Sequence, residues 1–299
     1  MDEQPWVAER FEEQRTHLRR VAYRMLGSVS EADDAVQETW IRLIRADAAE
    51  IENLGGWLTT VVARVCLNML RSRRSRREEP LEGVRVPEPM LSPAGGLDPE
   101  HEVLLADSVG LALLVVLETL GPAERLAFVL HDMFGVPFDE IAPIVGRSAT
   151  AARQLASRAR RRVRGEAPPP TGDLGRQRAV VDAFFAAARD GDFDALVAVL
   201  DPDVVLRSDG GTRRPWASAV LRGARAVAAQ ALTFARLSSD VQPALVNGVA
   251  GVVVAPKGRI FSIMAFTVRD GRIVTIDSLA DPERLAELDI TMLGPSPRS

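Results

Sequence analysis

Gly121-Pro122-Ala123-Glu124-Arg125 opens an apolar-periodic run over residues 126–134, and Phe138-Asp139-Glu140-Ile141-Ala142 opens a second. Gly146-Arg147-Ser148 follows as a glycine-marked turn and a helix cap, and an arginine-rich helix continues to Arg164. Two short helices, a tight turn and a third helix are the order of a helix-turn-helix, whose last helix enters the DNA major groove. That helix divides by face. Ala152, Leu155 and Ala159 recur at i, i+3 and i+7 and predict its inner side. Thr150, Arg153, Gln154, Ser157 and Arg161 point outward, and Arg and Gln can each make paired hydrogen bonds to a base edge. From Arg147 to Arg164 there are seven arginines and no acid, a field suited to phosphates. Pro143, inside the second helix, predicts a kink or a shortened helix.

Working outward, four blocks emerge from the 299 residues. Residues 6–79 read as helical, with breaks near Gly27-Ser28 and over residues 52–56. Residues 80–99 hold five prolines and three glycines, which predicts a linker without regular helix. Residues 100–165 are helical again and end in the helix-turn-helix. After the Pro168-Pro169-Pro170 hinge, residues 174–290 read as α+β. Helices over 176–189 and 194–200 precede strands over 204–207, 244–246, 251–255, 259–268 and 272–279. Asp270-Gly271 is a strong hairpin signal between the last two.

Charge is distributed unevenly. Residues 1–172 carry 22 basic and 26 acidic groups, and residues 173–299 carry 15 of each. The positive charge concentrates in two places, 71–77 with five arginines and the helix ending at Arg164. An acidic background would bind naked duplex weakly, because non-specific affinity comes from phosphate neutralisation. Two basic helices therefore predict contact with DNA at two sites, leaving acidic surface for a protein partner. No run of 18 apolar residues and no signal segment is legible, which points to the cytoplasm and away from a membrane. Cys66, the single cysteine, lies in an apolar helical stretch and reads as a buried structural thiol.

Within the first block, Ser30-Glu31-Ala32-Asp33 reads as a capped helix start with acids in the first turn. Val36, Trp40, Leu43 and Ile44 are expected on its inner face. Asp34, Gln37, Glu38 and Ile41 are expected on the opposite one, an acidic stripe with one exposed aliphatic that suits a basic protein partner. The next helix, after Gly55-Gly56, places Trp57, Thr60, Arg64, Asn68 and Arg71 along one stripe. An aromatic, an amide and arginines in line can stack a base and follow a strand of phosphates.

These stretches resemble a known family. Residues 11–43, centred on Asp33-Asp34-Ala35-Val36-Gln37-Glu38-Thr39-Trp40, resemble region 2 of bacterial RNA polymerase sigma factors, and the helix from Trp57 to Arg71 resembles the promoter-melting helix that follows. Residues 120–164, notably Arg153-Gln154-Leu155-Ala156-Ser157-Arg158-Ala159-Arg160, resemble region 4. Two regions joined by a short linker are similar to the extracytoplasmic-function class. The resemblance implies that Asp34, Gln37, Glu38 and Ile41 meet the clamp helices of the polymerase's largest subunit. Region 4 would meet the flap of the second-largest subunit. It also implies that Asn53, Trp57, Arg64, Asn68, Arg71 and Arg74 lie at the −10 element, with Asn53 near a flipped base. Arg147, Ser148, Thr150, Arg153, Gln154, Ser157 and Arg158 would meet the −35 element. Where many members carry Asn and Asp, this chain has Arg64 and Asn68.

The C-terminal block, through the stretch 183–196 and Leu200-Asp201-Pro202-Asp203-Val204, resembles a SnoaL-like domain of the NTF2-like cone fold. Sigma factors with this extension share two motifs, read here as Arg85-Val86-Pro87-Glu88-Pro89 and Asp209-Gly210-Gly211-Thr212-Arg213. The expected fold class is thus all-α sigma regions 2 and 4 followed by an α+β SnoaL-like cone. Pro87, Glu88, Pro89, Asp209, Gly210 and Gly211 are expected to be regulatory, with the domain acting on the sigma part in cis. Phe184, Phe185, Trp216, Phe261, Met264 and Phe266 could line a cavity for a small molecule. Asp201, Asp203, Asp209 and Asp277, with Arg207, are the acid–base groups that an enzyme would have to use, and they read as turn residues or isolated acids. His17, His101 and His131 stand singly, without metal-ligand spacing. No catalysis, cofactor or metal is expected. The rival readings are a one-component helix-turn-helix regulator with a ligand-sensing domain, and a SnoaL-like enzyme carrying a DNA-binding module.

Overall fold

The computed structural model describes residues 3–46, 51–75, 85–93, 110–166, 173–235 and 241–288. The chain divides into two compact units, one of residues 1–79 and 116–165, the other of residues 80–115 and 166–299.

In the first unit, α1 (Glu3–Leu26) ends at Gly27, whose φ of 69° lets its N–H reach back to the Tyr23 carbonyl. Helix α2 (Val29–Leu43) starts two residues earlier than Ser30 suggests. Ser28 is the cap, its Oγ accepting from the Glu31 N–H, and Ser30 only bonds to that hydroxyl. Helix α3 (Leu54–Ser75) begins before Gly55-Gly56, because Asn53 Oδ1 accepts from the Gly56 N–H at 3.0 Å and caps it. Leu18, Met25, Val36, Leu58, Val62 and Cys66 form the shared core. Burial pushes the Cys66 thiol up to about 12, leaving it an inert packing group.

Helix α4 (Leu111–Glu118) is apolar all round and buried, as such a pattern requires. Helix α5 (Pro122–Phe128) runs into a π-helical turn (Val129–Met133), and α6 (Phe138–Val145) follows. Pro143 is exposed and sits in the last turn of α6, where Gly146, at φ 70°, stops the helix. Helix α7 (Ala149–Glu166) then starts from Ser148, whose Oγ accepts from the Ala151 N–H.

The second unit contains α8 (Leu174–Asp190), capped by Asp173, and α9 (Phe193–Val199), capped by Asp192. The strands are β1 (Leu91–Pro93), β2 (Leu200–Asp209), β3 (Ala219–Arg222), β4 (Val241–Val246), β5 (Val249–Val254), β6 (Ser262–Arg269) and β7 (Arg272–Leu279). Among the described residues they form one sheet in the order β1-β4-β5-β6-β7-β2-β3, parallel only between β2 and β7. Helices α8 and α10 (Ala224–Thr233) cover one face around Phe184, Leu206, Val227, Val252 and Phe266, and α11 (Pro282–Ala286) follows the last strand. This is the α+β cone expected of the block.

Two type I′ hairpins shape the sheet. Asp270-Gly271 is the expected one, and Asn247-Gly248 joins β4 to β5, with φ of 52° and 75°. The strand reading missed this second signal, and it missed β1, β3 and α10. The stretch expected as an irregular linker is partly sheet: Leu91 pairs with Val246 and Pro93 with Ala244.

Candidate nucleic-acid interface and linker clasp

On α7 the division by face holds. Ala152, Ala156 and Ala159 are fully buried and Leu155 is half-buried, while Thr150, Arg153, Gln154 and Ser157 form an exposed stripe. Arg147 and Ser148 stand exposed at its start. Three arginines beside the stripe are committed within the unit. Arg158 pairs with Glu124 of α5 at 2.8 Å, Arg160 with Asp132 of the π-turn, and Arg162 donates to the Thr119 carbonyl. The Arg153 guanidinium lies 5.3 Å from the centroid of the Phe138 ring, which steers it without covering it.

Along α3, Arg64, Asn68, Arg71 and Arg74 are exposed and Trp57 is half-buried. Arg73 turns the other way, donating to the Leu26 carbonyl and pairing with Glu31, so it braces α3 against the start of α2. Asn53 spends its carbonyl oxygen on capping α3. On α2, Asp34 and Gln37 are exposed, and Glu38 pairs with Arg42 at 2.9 Å. The expected placing of the two isoleucines is overturned. Ile44, the residue after the helix, is 58% exposed, whereas Ile41 is half-buried. The spacing already says why: 34, 37, 41 and 44 are three, four and three apart and share one stripe.

The two helical parts pack as one unit. Arg125 of α5 is 2% exposed, pairs with Glu118 at 2.8 Å and donates from Nε and Nη2 to the Arg24 carbonyl at the end of α1. The Arg24 guanidinium lies over Phe134, whose ring also meets His17 edge-on. Burial, with Arg20 nearby, lowers the Arg24 guanidinium to about 10. Burial, again with positive neighbours, lowers the His17 imidazole.

In the second unit, the two motif stretches meet. The Val86 N–H donates to Asp209 Oδ2 at 3.0 Å, Arg284 Nη1 donates to the same oxygen at 2.9 Å, and Arg284 Nη2 donates to the Val86 carbonyl at 2.7 Å. The three residues close a ring of hydrogen bonds around the backbone of a single residue of the connection, Val86. Burial lowers the Arg284 guanidinium, against the opposing pull of Asp209. Asp209 Oδ1 accepts from the Gly211 N–H. Both glycines are required here: a Cβ on Gly210 would stand 2.1 Å from the Arg214 carbonyl oxygen, and one on Gly211 would stand 2.2 Å from Asp281 Oδ2. Four residues on, Asn247 repeats the grip. Its N–H donates to the Met90 carbonyl at 2.8 Å, and its Oδ1 accepts from the Met90 N–H at 3.1 Å. Val86, Pro87, Pro89, Met90 and Leu91 are buried, and Glu88 is half-buried. Arg284 and Asn247 were not foreseen. The Asn-Gly turn marks Asn247, but no local pattern marks Arg284.

Of the acids weighed for catalysis, Asp201 and Asp203 form a local turn, the Asp203 N–H donating to Asp201 Oδ1 at the irregular start of β2. Asp277 is buried beside Arg207 at 3.2 Å, and burial, opposed by Arg207, raises its carboxyl to about 6. Phe184, Phe185, Phe261 and Met264 do line a cavity. Trp216 is exposed instead and Phe266 is fully packed in the core. His101 lies outside the described residues.

Comparison with known proteins agrees with this layout. Residues 11–76 match the Sigma-70 region 2 family and residues 110–163 match Sigma-70, region 4. The chain is 40% identical to the ECF RNA polymerase sigma factor SigJ of Mycobacterium tuberculosis over 287 residues, 92% of this chain and 91% of that protein. It is 36% identical to the probable ECF RNA polymerase sigma factor SigI of the same species over 283 residues, 94% of this chain and 95% of SigI. The crystal structure of M. tuberculosis SigJ superposes with a TM-score of 0.75 at 37% identity, covering 93% of this chain and 98% of that one. Among the described residues no helix is long and apolar enough to cross a membrane. The chain belongs to the extracytoplasmic-function sigma factors of bacterial RNA polymerase, alternative sigma factors for transcription initiation and non-enzymatic transcription factors, here with a C-terminal NTF2-like domain.

Proposed function

We propose that the packed arrangement of the helical unit is the closed form of this sigma factor, and that the C-terminal domain maintains it by holding the linker. Promoter elements named for −35 and −10 are about 25 base pairs apart, roughly 85 Å along B-form DNA. A compact unit of this size has a radius of gyration of ~14 Å. The α3 stripe and the α7 stripe, packed in one unit, cannot reach both elements together. Engagement of a promoter therefore requires regions 2 and 4 to separate, and the chain that must span the gap is the stretch between Ser75 and Leu111. Residues 85–93 of that stretch are the ones committed to the sheet and the clasp.

In the open form, Thr150, Arg153, Gln154 and Ser157 read the −35 element, with Arg147, Ser148 and Arg158 on its phosphates. Trp57, Arg64, Asn68, Arg71 and Arg74 track the −10 strand, and Asn53 stands beside a flipped base. Asp34, Gln37, Glu38 and Ile41, joined by Ile44, dock on the clamp helices of the largest polymerase subunit, and region 4 docks on the flap of the second-largest. Melting needs no bond chemistry from the sigma factor, only tighter binding to open than to closed DNA.

The observation that carries the regulatory reading is the ring of Val86, Asp209 and Arg284. Its test is in vitro transcription of a genomic promoter library by core polymerase with the wild type, Asp209→Ala or Arg284→Met. Starts sharing −35 and −10 sequences, and more transcript from both variants, are expected. Equal or lower output from the variants overturns inhibition through the clasp. Starts that share no sequence overturn the promoter-reading assignment.

A further inference from the structure

The inner face of the C-terminal sheet and the helices over it enclose a cavity of about 110 Å³ that opens to solvent. Phe184 and Phe185 of α8, Phe234 after α10, and Phe261 and Met264 supply its apolar walls. No lining residue carries a charge. Against this apolar body stand three hydroxyls, of Ser208, Ser262 and Ser278. Ser208 and Ser278 are register partners on the adjacent strands β2 and β7, so their hydroxyls sit side by side. Ser262 and Ser278 are only 5% and 6% exposed, and among the described residues no group hydrogen-bonds to either hydroxyl.

Outside the walls an aromatic cluster reaches solvent. Trp216, 61% exposed, stacks on Phe234 at 6.3 Å with an interplanar angle of 17° and lies 6.3 Å from Phe261. Arg214 lies over Phe261 at 4.9 Å and donates to the Phe261 and Ala280 carbonyls. An exposed tryptophan on two rings that also line a cavity is a surface that an apolar molecule would meet on its way in.

Three physical points choose the ligand. A cavity of ~150 Å³ lined by apolar side chains takes up a single benzene ring, so this volume suits one ring or a short branched chain. Without a charged partner in the wall, an ionised ligand would lose its hydration uncompensated, so the ligand is neutral. Hydroxyls that face an apolar cavity can each donate to or accept from one polar group on the ligand, which fixes its orientation. We propose that this cavity is a binding site for a small neutral molecule with a one-ring or branched hydrocarbon body and a single hydroxyl or carbonyl group. The body lies against the phenylalanines and the polar group meets Ser208 and Ser278. The site is independent of the clasp, although Ser208 directly precedes Asp209 in β2.

The test is isothermal titration calorimetry of the full chain with p-cresol, with toluene, and with 4-hydroxybenzoate as an anion of similar size. Saturable one-to-one binding of p-cresol is expected, at least tenfold tighter than that of 4-hydroxybenzoate. Met264→Trp, which fills the cavity, should weaken p-cresol at least tenfold. Ser278→Ala, a change too small to endanger folding, should weaken p-cresol severalfold and leave toluene unchanged. Non-saturating heats, equal affinity for the anion, or an unchanged p-cresol affinity in Ser278→Ala would each overturn the proposal.

Discussion

Val86 and Asp209, 123 residues apart, are joined by a hydrogen bond from the Val86 N–H to Asp209 Oδ2 at 3.0 Å, and Arg284 shares that oxygen. A backbone amide in a proline-flanked linker has no ladder partner of its own, so a buried carboxylate is what allows Val86 to be buried. Asp209→Ala removes that acceptor and leaves the half-buried Arg284 guanidinium without its carboxylate. The cost should be roughly 3 kcal/mol. Hydrogen exchange is the measurement: the Val86 amide should lose its protection, and the Met90 amide, held by Asn247, should follow. Unchanged exchange at Val86 would mean that the carboxylate does not hold the linker.

Arg125 is the corresponding tie in the helical unit. Arg125→Ala strands Glu118 and opens the space beside the Arg24 carbonyl, and should cost about 3–5 kcal/mol in urea denaturation. Arg125→Met fills that space without the charge and should cost less. Equal losses would show that the ion pair and its hydrogen bonds, not side-chain volume, are what Arg125 contributes between α5 and α1.

Arg153 and Arg158 differ in what they are free to read. Arg153 lies on the exposed stripe of α7, whereas Arg158 is paired with Glu124. Arg153→Ala should relax preference at one −35 base pair by ~1–3 kcal/mol. Arg158→Ala should lower output about equally on every promoter variant. Transcription from a set of single-base −35 variants separates the two, and a base-specific effect of Arg158→Ala would reverse the assignment.

Asp277 makes stability depend on pH. Its carboxyl is raised from the ordinary 3.8 to about 6 by burial. Between these values the folded chain keeps a proton that the unfolded chain has released, so raising the pH across the window favours unfolding. Relative to Asp277→Asn, which does not titrate, the wild type should lose ~1–3 kcal/mol of stability between pH 4 and 6.5. Denaturant melts of both proteins across that range check it. A constant difference between them would mean that Arg207 holds the Asp277 carboxylate ionised throughout.

Local elements were legible where their cause is local. Ser148 as a cap, Gly146 as a stop, the buried alanine side of α7 and the Asp270-Gly271 turn each depend on residues within four positions of one another. Two local signals were misread rather than absent: Asn247-Gly248 is as strong a hairpin mark as Asp270-Gly271, and the 34-37-41-44 spacing puts Ile44 outside. The short edge strands β1 and β3 are different. β1 has three residues and ends in a proline, so no alternating pattern announces it.

By itself the sequence determined two sigma regions, the exposed polar stripes of their helices and an α+β domain behind them, because periodicity, caps and turns act over a few residues. The tertiary structure decided what the linker does. Val86 meets Arg284 across 198 positions and Met90 meets Asn247 across 157. A backbone amide carries no sequence mark of the side chain that will satisfy it, so only the folded sheet, which brings the ends of β2 and β4 beside residues 85–93, could show that the connection between the two sigma regions is held by the third domain.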